Sequence, residues 1–392
     1  MSMGALTGIK VVEMASYITG PFTSMLLADL GASVTKIEMP GYGDPFRGWG
    51  ERAYNPTFCA FNRNKRSLSL NVAEPEGREI FMRLARDADV VIENMRPGVT
   101  ERMGISYDVL RVINPRLVYC SISGYGPDGP YRDRPGYDTI GQAMGGLLGV
   151  LTDPDNPGGV GAPLSDLVTG LFACYAIQGA LIGRGRTGLG QKVETSLLQA
   201  TVAFGTSNAA TYLASGKAPT RETRTRMAQV YVFSAGDGLP FVVHLSSPQK
   251  FWEGLTAAID RPDLRADPRF AAREGRLKNY DELRTILRDI FRGGPREKWL
   301  RLLESHDVPV APILDLKEVF DDPQVAHLGM LVEMKHPKLG PVRLAGSGIR
   351  MSETPPRMHL PPPALGEHNA EILGALGYGD SVLELLKSKG II

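Results

Sequence analysis

The chain has 392 residues, 43% hydrophobic and 22% charged, the balance of soluble globular protein and too long for one compact core. With 44 Lys and Arg against 43 Asp and Glu, the net charge of +1 gives no global pull toward nucleic acid or an anionic membrane. The opening Met-Ser-Met-Gly-Ala-Leu-Thr-Gly lacks the basic-then-apolar pattern of a secretory signal, and glycines such as Gly145, Gly146 and Gly149 interrupt the apolar stretches below membrane-spanning length.

In chain order, Ile9 to Met14 reads as a short buried strand. Gly20-Pro21 opens a helix over Phe22–Leu30, which Gly31 stops, and Ser33 to Glu38 is a second strand. This strand–helix–strand unit predicts a right-handed parallel crossover. Glu38 stands where a dinucleotide site places its ribose-binding acid. The turn reads Ser16-Tyr-Ile-Thr-Gly-Pro, however, without the Gly-x-Gly-x-x-Gly fingerprint, so the fold is Rossmann-like and a nicotinamide cofactor is not expected. Residues 41–55 form a loop rich in glycine and aromatics. Arg63, Lys65 and Arg66 make a basic cluster that suits phosphates, although a solvated charged face is the plainer reading.

A strand over Ser67–Val72, a helix from Pro75 to Ala88 and a strand over Asp89–Asn94 follow. Asn94, Arg96 and Arg102 then lie past a strand's carboxyl end, where open parallel sheets bind ligands. Leu117 to Gly124 is a further strand, ending in a glycine-rich loop. The stretch Gly161-Ala-Pro-Leu-Ser-Asp166 leads into an apolar helical run from Leu167 to Ile182. Ser165 or Asp166 is placed to cap it, and the helix N-terminus would favour the ionised Asp166 carboxylate. Lys192 to Leu197 is a further strand. After Ala214 the texture changes: a hairpin over Tyr231–His244 turns at Asp237-Gly238, and charged amphipathic helices occupy 248–305. From Pro337 the chain is proline-rich and extended, with short helices over Glu371–Gly377 and Ser381–Lys389. The predicted architecture is α/β: a large Rossmann-like domain with a parallel sheet over 1–214 and 335–392, plus a smaller α+β domain over 215–334. Cys59, Cys120 and Cys174 are isolated and the six histidines scattered, so neither a metal site nor a disulfide framework is expected, and a cytoplasmic home is.

Several motifs together resemble the family III CoA-transferases, the group that contains formyl-CoA:oxalate CoA-transferase. They are Asn64-Lys-Arg-Ser, Glu93-Asn-Met-Arg-Pro-Gly98, Arg102-Met-Gly104, Asn114-Pro-Arg-Leu117, Ser121-Ile-Ser-Gly-Tyr-Gly126, Gly136-Tyr-Asp138, Asp166-Leu-Val-Thr-Gly170, Gly188-Leu-Gly-Gln191 and Gly366-Glu-His368, in that family's order over almost the whole chain. The resemblance implies that Asp166 is the catalytic residue. It implies coenzyme A contacts at Ile18 and Thr19, at Leu70, Asn71 and Val72, at Asn94, Met95 and Arg96, at Arg102, and at Tyr137 and Asp138. An arginine that the family member carries after the second strand is Met39 here. Coenzyme A would be a substrate and not a resident cofactor; the partners would be an acyl-CoA, a carboxylic acid and a second copy of the chain in an interlocked homodimer.

The chemistry is consistent with these residue types. Moving CoA between carboxylic acids needs a protein carboxylate that becomes an acyl carrier, by way of a mixed anhydride and an aspartyl-CoA thioester. Its oxyanions need nearby donors, for which Gly145-Gly146 is one candidate turn. The competing readings are an α-methylacyl-CoA racemase, which wants a histidine where Tyr137 stands, and a non-catalytic acyl-CoA-binding protein, which has no use for Asp166.

Overall fold

The computed structural model describes residues 3–49, 55–153, 155–336 and 340–392; the tip of the aromatic-rich loop (50–54) and the start of the proline-rich segment (337–339) lie outside the described residues. Two compact units are present. The first comprises Met1–Leu148, Gly159–Thr206 and Gln324–Ile392, and the second Gly149–Gly158 and Ser207–Pro323.

The first unit is built on β1 (Lys10–Met14), β2 (Ser33–Glu38), β3 (Lys65–Ser69), β4 (Val90–Glu93), β5 (Val118–Ser123) and β6 (Lys192–Ser196). All five pairings are parallel, in the order β3-β2-β1-β4-β5-β6. Strands covered on both faces read as continuous apolar runs, as Val11-Val12 and Val90-Val91-Ile92 do. The helices in chain order are α1 (Thr19–Asp29), α2 (Pro56–Asn62), α3 (Pro75–Asp87), α4 (Val99–Arg102), α5 (Tyr107–Ile113), α6 (Asp138–Met144), α7 (Leu147–Leu151), α8 (Leu164–Thr187) and α9 (Leu197–Phe204).

Alternate residues of each strand point to opposite faces. Val11, Val34, Val90, Ile92 and Cys120 pack with Leu27 of α1 and Ala173 and Ile177 of α8; Val12, Leu68, Val91 and Tyr119 pack with Phe81 of α3 and Leu110 of α5. Strand order reverses between β1 and β4, which opens a crevice at their carboxyl ends. Helix α8 is longer than the sequence suggested, 24 residues, and apolar enough by length and composition to cross a membrane. One stripe of it is instead core: Ala173, Cys174, Ile177 and Ala180 are buried against the sheet.

The C-terminal chain is tied to β3. Gly366 donates to Ser67 Oγ at 2.9 Å, His368 N–H to the Ser67 carbonyl at 3.1 Å, and Ser69 N–H to Asn369 Oδ1 at 2.9 Å. The Gly-Glu-His motif is thus a structural fastening of the chain end. The extended segment expected from Pro337 is in part a hairpin, β10 (Leu331–His336) with β11 (Gly340–Ala345).

The basic cluster is spent on structure, not on phosphates. Arg63 forks onto Asp29 at 2.6–3.2 Å, Lys65 lies 2.9 Å from Glu13, and Arg66 pairs with Glu371 at 2.7 Å. Glu38 is likewise occupied, by Arg47 at 2.7 and 2.8 Å and Ser67 at 2.7 Å.

The second unit has an antiparallel sheet of β7 (Val230–Ser234), β8 (Pro240–His244) and β9 (Val310–Pro312). Tyr231, Phe233, Phe241, Trp252, Leu283 and Phe291 form its core with the helices Gln249–Ala258 and Tyr280–Phe291.

Candidate active site

Asp166 is not a cap. The N-cap position of α8 is Pro163, and Asp166 is the third helical residue. Its surroundings follow from two close helix approaches. Four residues on, Gly170 faces α1: a Cβ there would lie 2.9 Å from the Phe22 ring and 3.1 Å from the Thr19 carbonyl. Thr23 of α1 bonds across to the Gly170 carbonyl at 3.2 Å. That spacing explains the Asp-x-x-x-Gly pattern physically, since the glycine lets the start of α1 reach the carboxylate one turn away. On the other side, a Cβ on Gly141 of α6 would lie 2.2 Å from Ser165 Oγ, and Ser165 is bonded to Thr201 of α9 at 2.7 Å.

Two bonds fix Asp166. The Thr19 hydroxyl donates to its Oδ1, and its own N–H donates to Asp138 Oδ1 at 3.1 Å. Asp138 Oδ2 accepts from Gln142 at 2.6 Å. Asp166 stands in the first turn of α8, where the helix N-terminus favours its ionised form, and its other surroundings act in the opposite direction. Burial pushes Asp166 up to about 6, the Thr19 bond pulls back, and the neighbouring Asp138 charge adds to the rise. Loss of hydration is the largest of these effects.

Asp166 lines a cavity of about 280 Å³ at the β1/β4 crevice, together with Tyr17, Thr19, Asn94, Arg96, Arg134 and Tyr137. Asn94 bridges the two strand ends, accepting from Ser16 N–H at 3.0 Å and donating to the Ser16 carbonyl at 2.8 Å. A second cavity of about 160 Å³ shares Met14, Ser16 and Met95 with the first and is lined by Ile37, Met39, Leu70 and Val72. The two are therefore neighbours across Met14, Ser16 and Met95. Of the residues singled out in the sequence, Thr19, Asn94, Met95, Arg96, Tyr137 and Asp166 meet in the first cavity, and Leu70, Val72 and Met95 in the second. Four line neither. Ile18 is buried against Phe46 and Phe58, Asn71 shapes the turn after β3 through its bond from Ala73 N–H at 3.1 Å, Asp138 holds α8, and Arg102 is exposed on α4. Gly145 serves helix packing, since a Cβ there would strike Thr201 at 2.4 Å, and neither Gly145 nor Gly146 lines the cavity.

The sequence reading missed three features. Arg132 and Arg134 line the Asp166 cavity from an irregular loop with no regular period. Gly124 and Gly136 touch, a Cβ on Gly136 lying 2.8 Å from the Gly124 Cα, which seats that loop beside β5. Tyr17 takes φ of 67°, unusual for an aromatic residue, with its N–H on Asp44 at 3.3 Å and its ring edge-on to Tyr137 at 6.1 Å. An Asn or Gly at that position would have been a sequence signal; a tyrosine gives none.

The model of CoA-transferase family III matches residues 6–369. The chain is a family III CoA-transferase. It is 37% identical to the succinyl-CoA:glutarate CoA-transferase of Mus musculus over 100% of this chain and 91% of that one. It is 35% identical to the formyl-CoA:oxalate CoA-transferase of Streptomyces avermitilis over 99% of each. The crystal structure of a CAIB/BAIF family protein from Brucella suis superposes with a TM-score of 0.86 at 36% identity, covering 96% of this chain and 100% of that one. This CoA-transferase therefore carries the α/β fold of that family, with its six-stranded parallel sheet.

Proposed function

We propose that this CoA-transferase moves CoA from an acyl-CoA to a free carboxylic acid with Asp166 as the covalent carrier. One observation carries the reading: among the described residues, Asp166 is the one carboxylate lining a cavity that holds no cysteine, histidine or lysine. A carboxylate is the nucleophile that carboxylate-to-carboxylate exchange needs. Asp166 would attack the acyl carbonyl and release CoA thiolate, the thiolate would attack the aspartyl carbonyl, and the acceptor acid would run both steps backward. The thioester would sit beside Asp166 and Tyr137, with the nucleotide end toward Leu70, Val72 and Met39. Tyr137 in place of a histidine leaves α-proton transfer without its base and supports transfer over racemisation.

The reading predicts a CoA mass adduct on the Asp166 peptide when the enzyme is incubated with succinyl-CoA or acetyl-CoA. Absence of any adduct, with transfer still observed, would sink it. Arg96 lines the cavity and Arg102 does not, so Arg96→Ala should weaken CoA binding by about 1.5–3 kcal/mol, the scale of a lost charge-assisted bond, and Arg102→Ala by less. Equal losses in calorimetry would move the phosphates onto α4.

The same reading includes a homodimer. Along the outer side of α8, Leu171, Tyr175 and Ile182 are 52%, 75% and 64% exposed. They line an apolar hollow of about 870 Å³ with Phe22, Phe61 and Ile349. An apolar hollow beside exposed aromatic and aliphatic side chains is the kind of surface a second copy of the chain would cover. A mass near 42.5 kDa by light scattering at micromolar concentration would exclude the dimer.

A further inference from the structure

The route through Asp166 requires nucleophilic attack at two carbonyl carbons, that of the substrate and that of Asp166 itself. The second is unusual because its oxygen belongs to the protein. Its position is set by α8, so a donor serving it must also be fixed in the protein. Among the described residues, the Thr19 hydroxyl is the one side-chain donor hydrogen-bonded to the Asp166 carboxyl.

Thr19 is well placed to keep that bond. It is 5% exposed at the start of the eleven-residue α1, and its carbonyl accepts from the Thr23 hydroxyl at 2.8 Å. The Gly170 approach holds α1 against α8 at this level. The first backbone N–H groups of α1 have no intrahelical partner and place the positive end of the helix on the same side.

We propose that Thr19 is a catalytic residue, whose hydroxyl stabilises the oxyanion that forms on Asp166 Oδ1 when the aspartyl carbonyl is attacked. This rests on the covalent role proposed for Asp166. In the mixed anhydride, Oδ2 bridges Asp166 Cγ to the donor acyl group and Oδ1 is the carbonyl oxygen. The CoA thiolate sulfur bonds to Cγ, and the carbonyl π pair moves onto Oδ1, where Thr19 donates. Collapse restores the carbonyl and breaks the Cγ–Oδ2 bond. The donor acid leaves as a carboxylate that carries Oδ2 away, and Asp166 is left as the CoA thioester. The acceptor carboxylate then attacks Cγ by the same path, and the Cγ–S bond breaks to return CoA thiolate. No proton is gained or lost, which suits a donor that polarises and does not ionise. Aimed donors of this kind act where charge develops in the transition state.

The test pairs Thr19→Val, which keeps the shape and removes the hydroxyl, with Thr19→Ser, which restores it. Transfer between succinyl-CoA and a carboxylic acid is measured across pH, alongside the CoA adduct on the Asp166 peptide. Thr19→Val should lower kcat by on the order of 10²–10³, with KM for succinyl-CoA little changed. Its acid limb should move to higher pH, because the Thr19 bond holds the Asp166 pKa down. Thr19→Ser should recover most of the rate and return the limb. A Thr19→Val enzyme with wild-type kcat and limb overturns the proposal, and so does a rate loss that Thr19→Ser fails to rescue, which would trace the defect to packing. Wild-type protein that transfers CoA without an adduct would instead refute the covalent role of Asp166 and this proposal with it.

Discussion

Asp166→Ala and Asp166→Asn are expected to fold and to lose CoA transfer to background. Folding should survive because Asp166 is not the α8 N-cap and the α1–α8 approach is set by Gly170 and Thr23, which both variants keep. What the alanine removes is one hydrogen bond from Thr19 and a partly buried charge next to Asp138. A net bond of this kind is worth about 0.5–1.5 kcal/mol, and relief of the burial and repulsion offsets some of it. Activity has no such cushion, because no other carboxylate lines the cavity among the described residues. Circular dichroism and urea melts should match wild type within about 1.5 kcal/mol, while no CoA adduct forms. The pH dependence follows from the same group. Asp166 attacks as the carboxylate and its pKa stands at about 6, so kcat/KM should fall as pH drops through about 6, well above the range of an ordinary aspartate. A folded Asp166→Ala enzyme that still transfers CoA would remove Asp166 from the chemistry, and a wild-type profile flat down to pH 4.5 would place its carboxyl in the ordinary aspartate range.

The sheet was legible because β1, β4 and β5 are short, largely apolar runs, and its parallel direction follows from the helices between successive strands. Strand limits shifted by one to three residues: β3 begins at Lys65 and ends at Ser69, where the sequence suggested 67–72. The shift has a physical cause. Lys65 reads as a surface residue yet is fully buried, because Glu13 two strands away neutralises it. A partner that distant cannot be read from a local pattern. The same holds for Asp166. Its place before an apolar helix was visible, whereas the donor on it comes from Thr19, 147 positions away. The Asp-x-x-x-Gly spacing carried that information only as a pattern; the approach of Phe22 and the Thr19 carbonyl to Gly170 gives it a reason. Arg132 and Arg134 escaped notice since loop residues declare neither face nor period.

Loss of Glu13 should be strongly destabilising. Glu13, Lys36 and Lys65 are all fully buried on adjacent strands, with Glu13 paired in register with Lys36. Glu13 lies 2.7 Å from Lys36 and 2.9 Å from Lys65 and accepts from Ser24 at 2.6 Å; Lys36 also reaches Asp44 at 2.9 Å. The four charges cancel. Glu13→Gln leaves two ammonium groups and one carboxylate in the interior, and breaking a buried pair in this way costs about 3–5 kcal/mol, a large share of a typical folding free energy.

The pH dependence separates this account from simple repacking. The two lysines hold Glu13 down at about 2 against an ordinary 4.5, although burial alone would raise it. A depressed carboxyl stabilises the fold above its unfolded pKa, and that contribution is lost as pH falls from about 4.5 through about 2. Urea melts of wild type should lose stability across that window, and Glu13→Gln should lose less. The variant should gain stability toward alkaline pH, because burial already pushes Lys65 down to about 8 and removal of Glu13 takes away what holds it up. Catalysis should suffer at temperatures where the variant remains folded. Lys36 also donates to the Ala15 carbonyl at 2.8 Å, and its partner Asp44 takes the N–H of Tyr17, so the network grips the turn that carries Thr19 to Asp166. A Glu13→Gln enzyme with wild-type melts from pH 3 to 9 would mean that the strands, not the charges, hold that turn.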